Sequence, residues 1–297
     1  MSPTLINGNP LPQILYGTAR RRHKPCPDIG TALSVGYRGI DTAAGTIHHD
    51  ETLDGQATSA FLLAQTNEQD SVGRGDLFLQ SKYIPTPKSA HLRSTGQEQP
   101  NTEAPAILAL ESVMGSSTRL KVDSIDCYFV NASRTPTRTI MEIWLALEQV
   151  VDRGGIRYLG LSNVKPQKLL SVLKNSRIKP AFVQNWFCKE TRYDHDVAVI
   201  CKEEGIVYQL FGIFDASNSW LLDSLPVQYR AQRKHISAHE ALLQQMVEET
   251  TASGWNICVL DGTTDKDHMA GNLAAVEQAD NRSADKNGIL LELIGWK

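Results

Sequence analysis

The sequence predicts a (β/α)8 TIM barrel formed by a single domain over residues 1–297. Short apolar or β-branched runs alternate with longer amphipathic runs, the order produced by parallel strands joined through crossover helices. About eight such units match a closed barrel better than an open doubly wound sheet. No G-x-G-x-x-G segment follows the first strand, and its absence also favours the barrel.

The strand candidates are the apolar runs at 14–17, 37–41, 77–82, 124–130, 157–162, 182–185, 206–211 and 256–260. The helix candidates between them lie at 27–35, 54–65, 103–117, 138–152, 166–174, 193–204, 237–253 and 266–276. The helix at 138–152 shows the helical period most clearly, because Ile140, Trp144 and Leu147 fall on one face. Gly154 and Gly155 then end it.

Two polar stretches interrupt this alternation, and both are predicted to be long loops. Residues 84–103 contain three prolines and follow the third strand, and residues 212–235 follow the seventh. In a barrel both loops start at the C-terminal ends of strands, the face where active sites lie. We therefore expect the two loops to border the substrate site.

The composition is that of an ordinary globular protein, with 41% hydrophobic and 21% charged residues. A net charge of −3 gives no electrostatic reason to expect a nucleic acid or a membrane as a partner. The five cysteines form no CxxC pair and no spacing typical of a metal site. No signal peptide is recognised, so we expect a cytoplasmic protein with reduced thiols. We also expect a small-molecule substrate and no bound metal.

Five short motifs lie at the end of a predicted strand or directly after one, and a sixth lies in the last predicted barrel helix. They are GYRGIDTAA at residues 36–44, LFLQSK at 77–82, GLSNV at 160–164, VQN at 183–185, and GTT at 262–264 followed by NLAA at 272–275. Together and in this order they resemble the aldo-keto reductases, in particular a branch with an extended loop after the second strand. The resemblance covers about residues 5–277 and implies the same barrel fold.

The resemblance also implies a chemistry. Members of this family transfer a hydride between a nicotinamide and a carbonyl, with a tyrosine as proton donor and a histidine that orients the carbonyl. A lysine, itself paired with an aspartate, lowers the pKa of the tyrosine phenol. Asp41 and Lys82 match the aspartate and the lysine, whereas the histidine position falls on Asn131.

No tyrosine follows Asp41 at the expected place. In the extended-loop branch the tyrosine precedes an acidic pair, and that order assigns its position to His49. The short-loop branch assigns it to Thr46, and the neighbouring His48 is a third candidate. A histidine here still carries a proton, although the cation of Lys82 would favour its neutral form and weaken it as an acid.

The cofactor that the resemblance implies is NADP(H), with its nicotinamide half better preserved than its phosphate half. Ser162, Asn163 and Gln184 match the residues that hold the nicotinamide carboxamide, and Phe211 is a candidate to stack on the ring. The candidates for the phosphate end are Gly262, Thr263, Thr264, His268 and Asn272.

Three positions at the phosphate end differ from the family pattern. His268 and Gly262 stand where the family has basic residues for the adenosine 2′-phosphate. Gly271 stands where it has a glutamate that contacts the adenine. A phosphate that is deprived of a charge-assisted hydrogen bond loses about 1.5–3 kcal/mol of binding free energy, so we expect NADP(H) binding to be weakened or lost.

Three functions remain open. The first is an oxidoreductase that acts on a small carbonyl or alcohol, with His49 as proton donor or acceptor. The second is a redox-neutral isomerase, dehydratase or cyclase that uses His49 and Lys82 for proton transfer in the same cavity. The third is a non-catalytic relative that binds a cofactor. In each case we expect a monomer or a weak dimer.

Overall fold

The computed structural model describes residues 11–19, 28–45, 48–65, 71–85, 104–279 and 288–297. Within these ranges, eight parallel strands close into a barrel in sequential order, and β8 pairs with β1. The strands are β1 (Ile14–Gly17), β2 (Gly39–Asp41), β3 (Phe78–Tyr83), β4 (Ile125–Asn131), β5 (Ile156–Ser162), β6 (Phe182–Trp186), β7 (Val207–Phe211) and β8 (Ile257–Asp261). The predicted fold is confirmed, and each predicted strand overlaps an observed one.

The helices surround the barrel. In the described ranges they are α1 (Ile29–Val35), α2 (Glu51–Ala64), α3 (Pro105–Leu120), α4 (Thr137–Asp152), α5 (Pro166–Asn175), α6 (His195–Glu204), α7 (Ser219–Leu222), α8 (Leu225–Lys234), α9 (Ala238–Ala252), α10 (Lys266–Glu277) and α11 (Ile289–Leu293). Helix α2 begins three residues before the predicted 54–65. The reason is an N-cap, because the Asp50 carboxylate accepts a hydrogen bond from the backbone N–H of Leu53.

The prediction of a long loop at 212–235 is wrong, because this segment contains α7 and α8. Proline near the start of α8 supplies a backbone angle that suits a helix N-terminus. Val227 and Ala231 lie four residues apart and are both buried, so one face of α8 packs on the protein. Of the other predicted loop, 84–103, residues 86–103 lie outside the described ranges.

The core has two parts, one between the sheet and the helices and one inside the barrel. The inner part is formed by buried side chains such as Leu15, Phe129 and Phe182. Gly160 on β5 faces Phe129 on β4, and a Cβ at Gly160 would lie 2.5 Å from an atom of the phenyl ring. The glycine therefore makes room for the aromatic ring inside the barrel.

No helix of the described ranges is both long enough and apolar enough to cross a membrane.

Replacing Gly160 with alanine is expected to destabilise the barrel by about 1–3 kcal/mol, because the new Cβ overlaps the Phe129 ring. Urea unfolding followed by tryptophan fluorescence measures the change. Gly75→Ala is the matched control, because a Cβ at Gly75 meets no atom within 4 Å. Equal free energies of unfolding for the two variants would contradict this packing.

Candidate active site

An ion pair between Asp41 and Lys82 lies at the C-terminal ends of β2 and β3. The Lys82 Nζ is 2.5 Å from Asp41 Oδ1 and 2.9 Å from the backbone oxygen of Thr42. Asp41 is 3% exposed and Lys82 is 7% exposed. Among the described residues, these are the two acceptors of the ammonium group, so its third proton remains for a bound oxygen.

Three glutamines extend this ion pair into a polar layer inside the barrel. Gln80 and Gln184 donate to the same Asp41 oxygen, Oδ1, at 2.5 and 2.9 Å. Both also donate to Gln209 Oε1, and Gln209 donates back to Gln80. All four side chains are buried, and these hydrogen bonds give each side chain a partner away from bulk water.

The role predicted for Gln184 is limited by this layer. Its two amide protons are used by Asp41 and Gln209, which leaves its Oε1 as the atom that can meet a nicotinamide carboxamide. Sequence reasoning assigned Gln184 to the cofactor alone. Strand β6 places the Gln184 side chain inside the barrel, at the level of the Asp41–Lys82 ion pair, and this position brings it into contact with Asp41.

His49 is placed by a polar cluster behind the ends of β1 and β2. Its Nδ1 is 3.3 Å from the Thr18 Oγ1, and the Thr18 hydroxyl donates to Asp54 Oδ2 at 2.9 Å. The Thr42 hydroxyl donates to the same Asp54 oxygen at 2.6 Å. Because the Thr18 proton is used by Asp54, the Thr18 oxygen can accept a hydrogen bond from His49 in the tautomer that carries its proton on Nδ1.

The other two candidates for the tyrosine position differ from His49. His48 is exposed, whereas His49 is half-buried and contacts the buried Thr18. Thr46 lies outside the described residues. His49 is therefore held against the barrel while His48 is exposed, and the choice among the three positions stays a prediction.

A second acidic residue of α2, missed by the sequence analysis, anchors the helix that follows His49. Glu51 is 3% exposed and accepts from the Ser81 hydroxyl at 2.5 Å. Its other oxygen accepts from Arg119 Nε at 2.8 Å and Nη2 at 2.6 Å. Glu51 and Asp54 lie three residues apart on one helix face. Two acidic residues on a face that packs against the barrel are the sequence feature from which buried partners could have been inferred.

Asn131 ends β4 and lies opposite Ser162 of β5 in the sheet register. Its Oδ1 accepts from the Ser133 backbone N–H at 3.1 Å and from the Ser133 hydroxyl at 2.8 Å. These bonds orient the amide and leave its NH2 group without an acceptor among the described residues. Asn131 can therefore donate to a carbonyl oxygen but cannot transfer a proton to it.

The nicotinamide-side candidates lie at the ends of β5 and β7. Ser162 is buried, and its Oγ accepts from the Asn163 Nδ2 at 3.2 Å. Asn163 has a left-handed backbone with φ of 53°, which turns the chain sharply at the barrel mouth. Phe211 is half-buried at the end of β7, opposite Trp186 in the register. Their assignment to a nicotinamide ring and its carboxamide stays a prediction.

A carboxylate lies at the opposite end of the predicted cofactor site. Asp265 caps α10, and its carboxylate accepts from the backbone N–H groups of Asp267 at 2.9 Å and His268 at 3.0 Å. Those two N–H groups belong to the first turn, where a helix would otherwise attract an anion. These hydrogen bonds lower the pKa of Asp265, so a negative charge already occupies this helix end.

Two further positions at this end are explained by packing. Asn272 is buried and donates to Asp261 at 3.1 Å, and the Tyr37 hydroxyl donates to the same oxygen at 2.5 Å. Asn272 therefore binds the end of β8. A Cβ at Gly271 would lie 2.0 Å from a Glu240 carboxylate oxygen, so a side chain at this position would require the Glu240 carboxylate to move.

The remaining candidates form the turn between β8 and α10. The Thr263 backbone N–H donates to Asp261 at 3.1 Å, and the Thr263 hydroxyl accepts from the Asp265 N–H at 3.2 Å. Gly262 is exposed and Thr264 is half-buried. The turn thus carries hydroxyl, backbone and carboxylate groups, and Lys266 follows it as the first residue of α10.

Comparison with known proteins points to one family along most of the chain. A profile described as the Aldo/keto reductase family matches residues 19–217. An aldo-keto reductase of Mycolicibacterium smegmatis is 29% identical over 190 residues, which are 62% of this chain and 58% of that protein. The NADPH-dependent D-xylose reductase of Meyerozyma guilliermondii is 26% identical over 209 residues, 62% of this chain and 59% of that protein. The aligned part spans somewhat more than half of either relative.

A solved structure gives the same result for the fold. The silkworm aldo-keto reductase in complex with NADPH superposes with a TM-score of 0.73 and 19% sequence identity. The match covers 99% of this chain and 86% of that one. At this identity the likeness concerns the fold.

Replacing Lys82 with methionine is expected to cost about 3–5 kcal/mol of unfolding free energy, because Asp41 becomes a buried charge without a counterion. Adding D41N to this variant should restore part of the loss. Arg138→Met is the control, since it breaks an exposed ion pair with Glu142 and should change stability by less than about 1 kcal/mol. Urea unfolding measures all four proteins, and a K82M cost as small as that of the control would argue against a coupled buried pair.

Proposed function

Because the chain belongs to the aldo/keto reductase family, we propose that it is an oxidoreductase that transfers a hydride between a nicotinamide dinucleotide and a small carbonyl or alcohol. The observation that carries this proposal is the buried Asp41–Lys82 pair at the barrel mouth, with an ammonium proton left for a substrate oxygen. The names of the relatives, among them an NADPH-dependent D-xylose reductase, support it.

The residues of this chain divide the work as follows. A bound nicotinamide would supply or accept the hydride. Lys82 and the Asn131 amide donate hydrogen bonds to the substrate oxygen and stabilise the negative charge that develops on it. Ser162, Asn163 and the free oxygen of Gln184 hold the carboxamide, and Phe211 packs on the ring.

His49 exchanges the proton in this proposal. Thr18 holds the ring through Nδ1, so Nε2 carries the lone pair of the neutral form. That form accepts a proton from an alcohol directly, whereas donating a proton requires the imidazolium. We therefore expect alcohol oxidation to be less dependent on acidic conditions than carbonyl reduction.

A redox-neutral enzyme is the second candidate, and the Asp265 cap favours it. A carboxylate at the helix end that would receive phosphate weakens the binding of any dinucleotide that relies on this end. In that case His49 would act as a base on a carbon next to a carbonyl, and Lys82 and Asn131 would stabilise the enolate. The products of such an isomerase, dehydratase or cyclase would form without any cofactor turnover.

Titration with NADPH and NADH, followed by quenching of tryptophan fluorescence, separates the two candidates. We expect both to bind in the micromolar to millimolar range with Kd values within about tenfold of each other, since the Asp265 carboxylate at this helix end repels the additional charge of a 2′-phosphate. Asp265→Asn keeps the cap and should tighten NADPH binding about threefold more than NADH binding. Asp123→Asn, an exposed site before β4, is the control.

Two results of this titration would count against the cofactor assignment. Failure of either dinucleotide to bind at millimolar concentration would overturn the oxidoreductase proposal and favour redox-neutral chemistry. NADPH binding more than a hundredfold tighter than NADH binding would show that the 2′-phosphate has a charged partner after all.

Replacing His49 with alanine is expected to lower kcat about a hundredfold, because the proton-transfer group is removed. The exposed His48→Ala variant should stay within about twofold of the parent. Steady-state turnover of D-xylose and a simple aliphatic aldehyde with NADPH, and of the matching alcohols with NADP⁺, measures both directions. Unchanged turnover of H49A would remove His49 from the mechanism.

A further inference from the structure

A side-chain amide ties the loop after β5 to β6. Asn185 Oδ1 accepts from the Val164 backbone N–H at 2.9 Å, and Asn185 Nδ2 donates to the Val164 backbone oxygen at 2.8 Å. One asparagine thus pairs with both polar groups of a loop residue, as a neighbouring strand would. The loop segment that it holds, residues 162–164, contains Ser162 and the left-handed Asn163.

A carboxylate fixes the orientation of that amide. Asp194 Oδ2 accepts from the second proton of Asn185 Nδ2 at 2.6 Å and from the Tyr208 hydroxyl at 3.0 Å. With both amide protons and the amide oxygen engaged, the Asn185 amide has one orientation that satisfies its partners. Asp194 is partly buried, and Tyr208 is buried on β7.

The backbone that presents Asp194 is strained. Arg192, Tyr193 and Asp194 are three consecutive non-glycine residues with φ between 53° and 57°, a region that side chains with a Cβ rarely adopt. Trp296, near the end of the described chain, donates from its indole to the Tyr193 backbone oxygen at 3.0 Å. The Trp220 indole donates to the Tyr193 hydroxyl at 2.9 Å. Trp220 and Trp296, from two distant segments, therefore stabilise the left-handed backbone at residues 192–194, and this backbone sets the position of Asp194.

We propose that Asp194 is a positioning residue: its carboxylate, acting through Asn185, holds residues 162–164 in the conformation that receives the nicotinamide carboxamide. The inference rests on the proposed function for the identity of the ligand. The hydrogen bonds among Asp194, Asn185 and Val164 are independent of the proposed function. The carboxylate touches neither substrate nor cofactor, so its effect passes through one named amide.

Asp194 also makes this support sensitive to pH. Burial raises the pKa of Asp194 to about 6, and the hydrogen bonds from Asn185 and Tyr208 lower it by less. The other charged or titratable groups around it are Asp196, which raises the pKa of Asp194 further, and the thiol of Cys201 on α6. Ionised Asp194 accepts stronger hydrogen bonds than its neutral form, so the support weakens as the pH falls through 6.

Protonation of Asp194 has the opposite effect on the folding stability of the protein. A carboxyl whose folded pKa is raised above its unfolded value contributes stability that is present at low pH and lost as the pH rises through about 6. Asp194→Asn imitates the neutral form at every pH. At pH 8 this variant is therefore expected to unfold at the same Tm as the parent or higher, while it binds the cofactor more weakly. A residue with a merely structural role would lower both together.

The test compares D194N with the parent in two measurements. Titration with NADH at pH 8 should give a Kd about fivefold higher for D194N, and the ratio of the two Kd values should approach one at pH 5. Hydrogen exchange of the peptide containing Val164, measured without cofactor at pH 7.5, should be faster in D194N, because the Val164 N–H bonds to an amide that has lost its charged acceptor.

Two controls make the result specific. Asp196→Asn removes a neighbouring exposed carboxylate that pairs with Arg192, and it should leave the exchange of Val164 unchanged. In an Asn185→Ala background, D194N should cause no further rise in Kd, because the path through the amide is already broken.

Unchanged Val164 exchange in D194N would overturn the proposal, whatever the cofactor measurements show. A Kd ratio that stays constant from pH 5 to pH 8 would also overturn it. Failure of the parent itself to bind NADH or NADPH would end the proposed function, whereas exchange at Val164 would still decide whether Asp194 positions the loop.

Discussion

The interior of the barrel mouth depends on one carboxylate oxygen. Asp41 Oδ1 accepts hydrogen bonds from Lys82, Gln80 and Gln184, which come from two different strands. Placing a lysine and three glutamines inside a barrel is costly unless each finds a partner, because water cannot reach them. Asp41 supplies the charge that balances Lys82 and the acceptor that organises the glutamines. The Asp41–Lys82 ion pair and the polar layer that fills the barrel interior therefore depend on the same set of contacts.

Much of the fold and the centre of the site could be predicted from the sequence. Parallel strands that are buried on both faces appear in the sequence as apolar runs, and for this reason all eight strands could be predicted. Asp41 and Lys82 are singled out by the family resemblance of the segments that they end, and the structure shows that the two side chains form an ion pair. The helices of the segment 212–235 are not predicted because α7 has only four residues and α8 is mostly polar, and only packing shows that Val227 and Ala231 form a buried face.

The contacts that place the other site residues could not be predicted in this way. Thr18 and Asp54 lie 36 residues apart, and Asn185 and Val164 lie 21 apart, so no local pattern links them. The Asp265 cap is a local signal, since aspartate before a helix is a common N-cap. Its meaning depended on knowing that this helix end belongs to the predicted cofactor site.

The anchoring of α2 has a consequence for how this site tolerates change. Thr42, just after β2, and Asp54, on α2, are joined directly, and Glu51 fastens the same helix to β3 and α3. The chain between Thr42 and Asp54 is thus closed at its base by side-chain bonds that do not depend on its length. Lengthening such a closed loop carries a small entropic penalty that grows only with the logarithm of its size. Insertions after Ala43 would then change the surface of the barrel mouth beside Lys82 while the barrel beneath keeps its register, so this short stretch is a position where substrate preference can change without loss of the fold.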